Sequence, residues 1–180
     1  MKVAAFLALL AIGAVAVQDM PEPTAPSDQH EWLRQLVGDW SVTGEATMEP
    51  GAEPMKHEST ESVRSVGGLW IVGEGSASFG GEPFTSILTL GYDPAKEAFV
   101  GTWIDSMQTH MWIYEGSLDD AKKVLTLETQ GPLFGDPSKT ASYRDVIEIK
   151  SADHRTLSSS LKGEDGAWTT FMRAEYRRKK

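Results

Sequence analysis

Trp32-Leu33-Arg34-Gln35-Leu36-Val37-Gly38-Asp39-Trp40-Ser41-Val42-Thr43-Gly44-Glu45 contains a short helix, a stop and the start of a strand. Trp32, Leu33, Leu36 and Val37 fall on one face at helical spacing, and Ser27 upstream is able to cap the first turn. Gly38 ends the helix, and Trp40 opens a strand. An amphipathic helix of this length needs a partner for its apolar face, so it is expected to plug or flank one end of whatever the following strands build.

Downstream of Trp40 the chain alternates or carries short apolar runs between turn signals, the pattern of an all-β barrel or sandwich. About ten strands are expected, over 40–48, 56–65, 69–79, 84–92, 98–105, 108–115, 123–129, 140–150, 156–161 and 167–177. The punctuation includes Val66-Gly67-Gly68, Gly80-Gly81-Glu82-Pro83, Asp93-Pro94, Asp119-Asp120, Gly135-Asp136-Pro137 and Gly163-Glu164-Asp165-Gly166. Such short connections imply antiparallel pairing of consecutive strands. Closure removes the reactive edges that an open sheet of this size would expose, so an antiparallel barrel is the expected architecture.

Upstream of the helix the sequence carries an address. Lys2 precedes an apolar run over residues 3–17 that falls short of the roughly 20 residues a spanning helix needs. Ala14-Val15-Ala16 offers small-x-small cleavage, so residues 1–16 are expected to be a signal peptide. Residues 17–26, with prolines at 21, 23 and 26, form a tether, and 27–180 form one domain. The expected compartment is exported, periplasmic or extracellular, in a bacterium, with no stable membrane insertion after the leader is lost. The chain has no cysteine, which excludes disulfides, thiol nucleophiles and thiolate metal sites. Its formal net charge of -9 becomes one unit more negative when Lys2 leaves with the leader, and that charge argues against nucleic acid as a partner. The basic Arg177-Arg178-Lys179-Lys180 reads as a solvated end.

Strand parity proposes which side chains meet. Phe99, Gly101, Trp103 and Asp105 share one face, and His110, Trp112 and Tyr114 share another. Asp105 and His110 flank the link over 106–109 and would approach each other in a tight hairpin, making them the weak catalytic candidates, as an acid/base pair assisted by Tyr92 or Tyr114. The aromatics either border a cavity or fill the core, since small barrels are often packed solid. No metal-ligand spacing is found. His57 with Glu58 and Glu61, joined by Asp105 and His110, matches no ligand motif. Ser158-Ser159-Ser160 lacks a nucleophile elbow.

Trp32-Leu33 with Leu36-Val37-Gly38-Asp39-Trp40, Gly91-Tyr92-Asp93, Thr102-Trp103-Ile104-Asp105, Gly116-Ser117-Leu118 and Tyr176-Arg177-Arg178 together resemble the secreted bacterial family known as domain of unknown function 1579. That family is itself similar to calycin-type barrels: lipocalins, fatty-acid-binding proteins and nitrobindin. The resemblance implies a barrel with an internal pocket, in which Gly38 and Trp40 form the structural signature and a late-strand arginine, from Arg173, Arg177 and Arg178, packs over the tryptophan. Nitrobindin-like relatives hold haem through a late histidine, for which this chain offers His154. Its turn reads as solvated and lacks the apolar wall haem needs, so no cofactor is expected. His110, with its apolar neighbours, reads first as a satisfied rim or core histidine.

The resulting expectation is a binding protein that holds a small hydrophobic or amphipathic molecule in its barrel. Trp70, Tyr92, Phe99, Trp103 and Trp112 are the wall candidates, and Arg64, Asp105 and His110 the polar orienters. Two alternatives stand beside it: a hydrolase or isomerase using Asp105 and His110, and a packed barrel acting through its surface in an envelope assembly.

Overall fold

A computed structural model describes Glu22, residues 24–47 and residues 52–180. The expected leader, the tether residues 17–21 and 23, and Met48 at the end of the first expected strand lie outside the described residues. Ten strands follow the helix: β1 (Gly38–Ala46), β2 (Met55–Val66), β3 (Trp70–Phe79), β4 (Glu82–Asp93), β5 (Ala98–Asp105), β6 (Trp112–Leu118), β7 (Val124–Leu133), β8 (Asp136–Ser151), β9 (His154–Lys162) and β10 (Trp168–Arg178). Each pairs antiparallel with its sequence neighbours. β1 closes on β10 through Trp40 opposite Arg178, Val42 opposite Tyr176 and Gly44 opposite Ala174, so the sheet has no edge.

The helix α1 (Asp28–Leu33) runs into a 3-10 turn, Arg34–Leu36. His30 Nδ1 accepts the Ser27 backbone N–H at 3.0 Å, which fixes the first turn. Gly38 then adopts φ +133°, a conformation L side chains rarely take, and a Cβ there would run into the Arg178 guanidinium. Both constraints require glycine at the hinge from helix to barrel.

Register and burial agree on which side chains face the axis. Trp40, Glu61, Gly75, Ser86 and Asp105 form one inward series across β1 to β5. Phe99, Gly116, Leu127, Asp145, Ser159 and Met172 form another across β5 to β10. The observed β6 starts four residues later than expected, because the Asp105 carboxylate holds the next link as a turn. It accepts the backbone N–H groups of Met107 at 2.6 Å and Gln108 at 3.1 Å. β8 starts earlier than expected because the turn at Gly135 is tight enough for Asp136 to pair with Leu133. Among the described residues no helix is long and apolar enough to cross a membrane.

Candidate functional site in the barrel lumen

The two ends of the barrel differ. At the helix end, Leu33, Leu36, Trp40, Leu90, Phe99 and Leu125 are at most 1% exposed. Trp32 packs edge-on against Phe99 with ring centroids 5.8 Å apart, and its Nε1 donates to the Lys122 carbonyl at 2.9 Å. Trp40 Nε1 donates to the Leu36 carbonyl at 2.9 Å. Arg178 lies over the Trp40 ring at 4.2 Å and donates to the carbonyls of Val37 at 2.6 Å, Gln35 at 3.0 Å and Ala152 at 3.0 Å, tying helix, β1 and β10 together. Arg155 also packs on Trp40, at 4.9 Å. The arginines over the signature tryptophan are therefore Arg178 and Arg155. Arg173 and Arg177 sit at outward positions of β10 and are exposed, because strand alternation points them away from the axis.

Above this plug lies a polar waist. The Arg155 guanidinium reaches from β9 over β10 and β1 to pair with Glu61 on β2, and stacks on the Tyr176 ring at 3.8 Å. The Tyr114 hydroxyl donates to Asp145 Oδ2 at 2.6 Å. Burial raises the Asp145 carboxyl above its usual range, while bonds from Ser159 and Tyr114 pull it partly back. Burial, reinforced by Asp145, pushes the Tyr114 phenol well above its usual value. Tyr176 is raised by burial and then by Glu61, against the opposing pull of Arg155. His57, inward on β2, is lowered by burial and so favours the neutral form.

Toward the far end the inward side chains keep exposed surface. Phe79 is 38% and Phe134 is 37% exposed, and Phe84, Leu88, Trp103, Leu157, Phe171 and Met172 are half-buried. Asp145 itself is half-buried. A side chain that faces the axis of a closed barrel and still meets solvent borders an open lumen. Its mouth is aromatic. Trp112, Tyr143, Phe134 and Phe171 form a chain of edge-on contacts at 4.8–5.4 Å on one side, and Phe79 meets Phe84 at 5.2 Å and His57 at 5.6 Å on the other.

The residues proposed from sequence are dispersed by this architecture. Trp103 and Trp112 face the lumen. Tyr92 and Phe99 belong to the plug, 5.3 Å apart, with His30 against Tyr92 at 5.8 Å. Arg64 and Trp70 are exposed on the outer face. Asp105 is engaged by its turn, including Gln108 Nε2 at 2.6 Å, while His110 reaches the Gln130 carbonyl at 3.3 Å and packs on Trp112 at 4.9 Å. No hydrogen bond joins Asp105 to His110. His154 lies on the outer face and pairs with Glu175. Among the described residues no group of three or more His, Cys, Asp or Glu side chains is placed to hold a metal ion.

Of the waist residues, Asp145 and Arg155 were not singled out from sequence, whereas Glu61, Ser159 and Tyr176 entered there only through a metal set that matches no ligand motif, a serine run without a nucleophile elbow and the family pattern. Their signal was present as a lone polar residue in an apolar stripe of period two, as in Tyr143, Asp145, Ile147 and Ile149. A groove of about 770 Å³ crosses the barrel wall over β4 to β9 between Trp70 and Trp168. It reaches Tyr114, Thr129 and Tyr143 where β6 and β7 diverge, since those strands pair only over residues 115–118 and 125–128.

No curated protein matches this sequence. Among solved structures the fold is similar to the crystal structure of Rv2717c from M. tuberculosis, at TM-score 0.57 and 14% identity over 87% of this chain and 100% of that one. A redesigned β-barrel, b11L5F_LGL, is similar at TM-score 0.45 and 9% identity over 82% of this chain and 94% of that one. EF1p2_mFAP2b bound to DFHBI is similar at TM-score 0.45 and 10% identity over 83% and 98%. The likeness to Rv2717c is one of fold alone. The family model described as protein of unknown function (DUF1579) matches residues 25–178, which take in the helix and all ten strands, and the chain belongs to that family.

Proposed function

We propose that this protein is an exported binding protein that holds one small amphipathic molecule in its barrel lumen. The observation that carries this reading is the gradient along the axis: a sealed helix end, a polar waist, and a mouth of half-exposed aromatics. An apolar wall with a few convergent polar groups is what a small-molecule site requires, the wall supplying affinity and the polar groups orientation. Trp103 and Trp112 belong to the wall, and Tyr114, Asp145 and Ser159 to the floor.

The test is a titration of the mature domain with Nile red, an uncharged polarity-sensitive dye, followed by displacement with 1-octanol. Saturable one-to-one binding that the alcohol displaces supports the reading, and a linear, non-displaceable response contradicts it. Export rests on the hydrophobic leader and the proline tether that follows it. Amino-terminal sequencing of the protein from its host is expected to begin at Val17, and an intact Met1 would refute export by cleavage.

A further inference from the structure

We infer that the lumen selects a ligand with a protonated amine on an apolar body and discriminates against carboxylates. This rests on the lumen being the binding site, and it follows from an inventory of inward charge. The waist carries two carboxyls, Glu61 and Asp145, and one guanidinium, Arg155, while the further inward carboxyl, Asp105, is engaged by the N–H groups of its own turn. Arg155 is 3% exposed, paired with Glu61 and stacked on Tyr176 at 3.8 Å, so its charge is already matched. Arg178 is committed to three backbone carbonyls at the sealed end. Lys139, at the rim, is exposed and paired with Asp136 at 3.1 Å. Among the described residues no other lysine or arginine occupies an inward position of the barrel.

Asp145 is left without a cationic partner. Its neighbours are the hydroxyls of Tyr114 and Ser159, which donate hydrogen bonds but carry no charge. A carboxylate has room for about four hydrogen bonds, so Asp145, half-buried at an inward position, keeps acceptor capacity beyond its two hydroxyl partners. One inward step toward the mouth, Thr129 is 7% exposed and its buried hydroxyl has no hydrogen-bond partner, as is also true of the buried N–H donors Arg155 Nε and Trp112 Nε1. A ligand carboxylate would bring a like charge beside Asp145 in a medium that screens poorly, whereas an ammonium would supply the missing counter-charge. Burial that disfavours the bare carboxylate in the free protein is the cost such a ligand would relieve.

The experiment compares 1-octanol, octylammonium and octanoate by calorimetry at neutral pH, at 0.15 M and 0.5 M salt, on the wild type and on Asp145→Asn. Octylammonium is expected to bind about ten-fold or more tighter than octanol, as for a charge-assisted hydrogen bond, with octanoate weakest. The advantage should persist at high salt and disappear in Asp145→Asn. If octanol binds but octanoate equals or exceeds octylammonium, the charge inference falls while the lumen reading stands. An amine advantage that vanishes at 0.5 M salt, or survives in the variant, would assign it to the acidic surface and also overturn the inference. Should the variant not fold, the wild-type ranking at the two salts decides alone. If none of the three probes binds, the lumen reading itself fails.

Discussion

Asp145 occupies the position where stability and function pull apart. Its carboxyl is raised by burial, so between the unfolded value near 4 and the higher folded value the native barrel holds a proton that the unfolded chain has lost. This contribution is fully present below the unfolded value and is lost as pH rises through the folded one. The groups facing it are Tyr114 from β6, Ser159 from β9 and Tyr176 from β10. Asp145→Asn keeps the shape and an acceptor for Tyr114 while removing the charge. Denaturant midpoints measured from pH 4 upward should fall more steeply for wild type than for the variant, and parallel curves would contradict the assignment. Trp40 makes the opposite kind of contribution: at 1% exposed beneath two guanidinium groups it is structural, and Trp40→Ala should cost about 3–5 kcal/mol in chemical denaturation. Trp40 was legible because a tryptophan directly follows the glycine break. Asp145 was harder to read, because a single acid in a strand is ordinarily solvent-facing, and only parity against Tyr143 and Ile147 gives it away.

Among the elements, the helix and the number of strands were legible because both rest on local periodicity. Strand ends were not, since they are decided by contacts the sequence does not display. β6 begins late through the carboxylate of Asp105, and β8 begins early through a tight turn at Gly135. The same contact explains why Asp105 and His110 do not form the pair that their spacing suggested. α1 and its 3-10 turn act as the stopper of the barrel. Leu36→Ala, at a position 1% exposed, is expected to cost about 2–5 kcal/mol, and a loss below about 1 kcal/mol would mean that the helix is not packed as described. At the other end, Phe79→Ala removes a side chain 38% exposed, so it should change stability little while weakening Nile red binding several-fold; unaltered dye affinity would exclude Phe79 from the mouth.

At the scale of the whole molecule, closure was readable from the count of short, consecutive strands, because an open sheet of that many strands would leave long reactive edges. Whether the closed barrel was hollow was not readable, since aromatic stripes serve a packed core and a lined cavity equally. The half-buried inward residues are the observation that favours a lumen over a packed core. Apolar side chains also lie outside, with Ile87 opposite Ile104 on the outer face of β4 and β5 and Ile113 exposed beside them on β6. Any affinity for an apolar molecule must therefore be located as well as detected. The most direct measurement is NMR mapping of the mature domain during titration with 1-octanol. Binding in the lumen should give saturating shifts at Leu88, Trp103, Asp145, Leu157 and Met172 and leave Ile87, Ile104 and Ile113 unmoved. Shifts confined to those three isoleucines, or shifts that never saturate, would contradict a ligand-holding lumen.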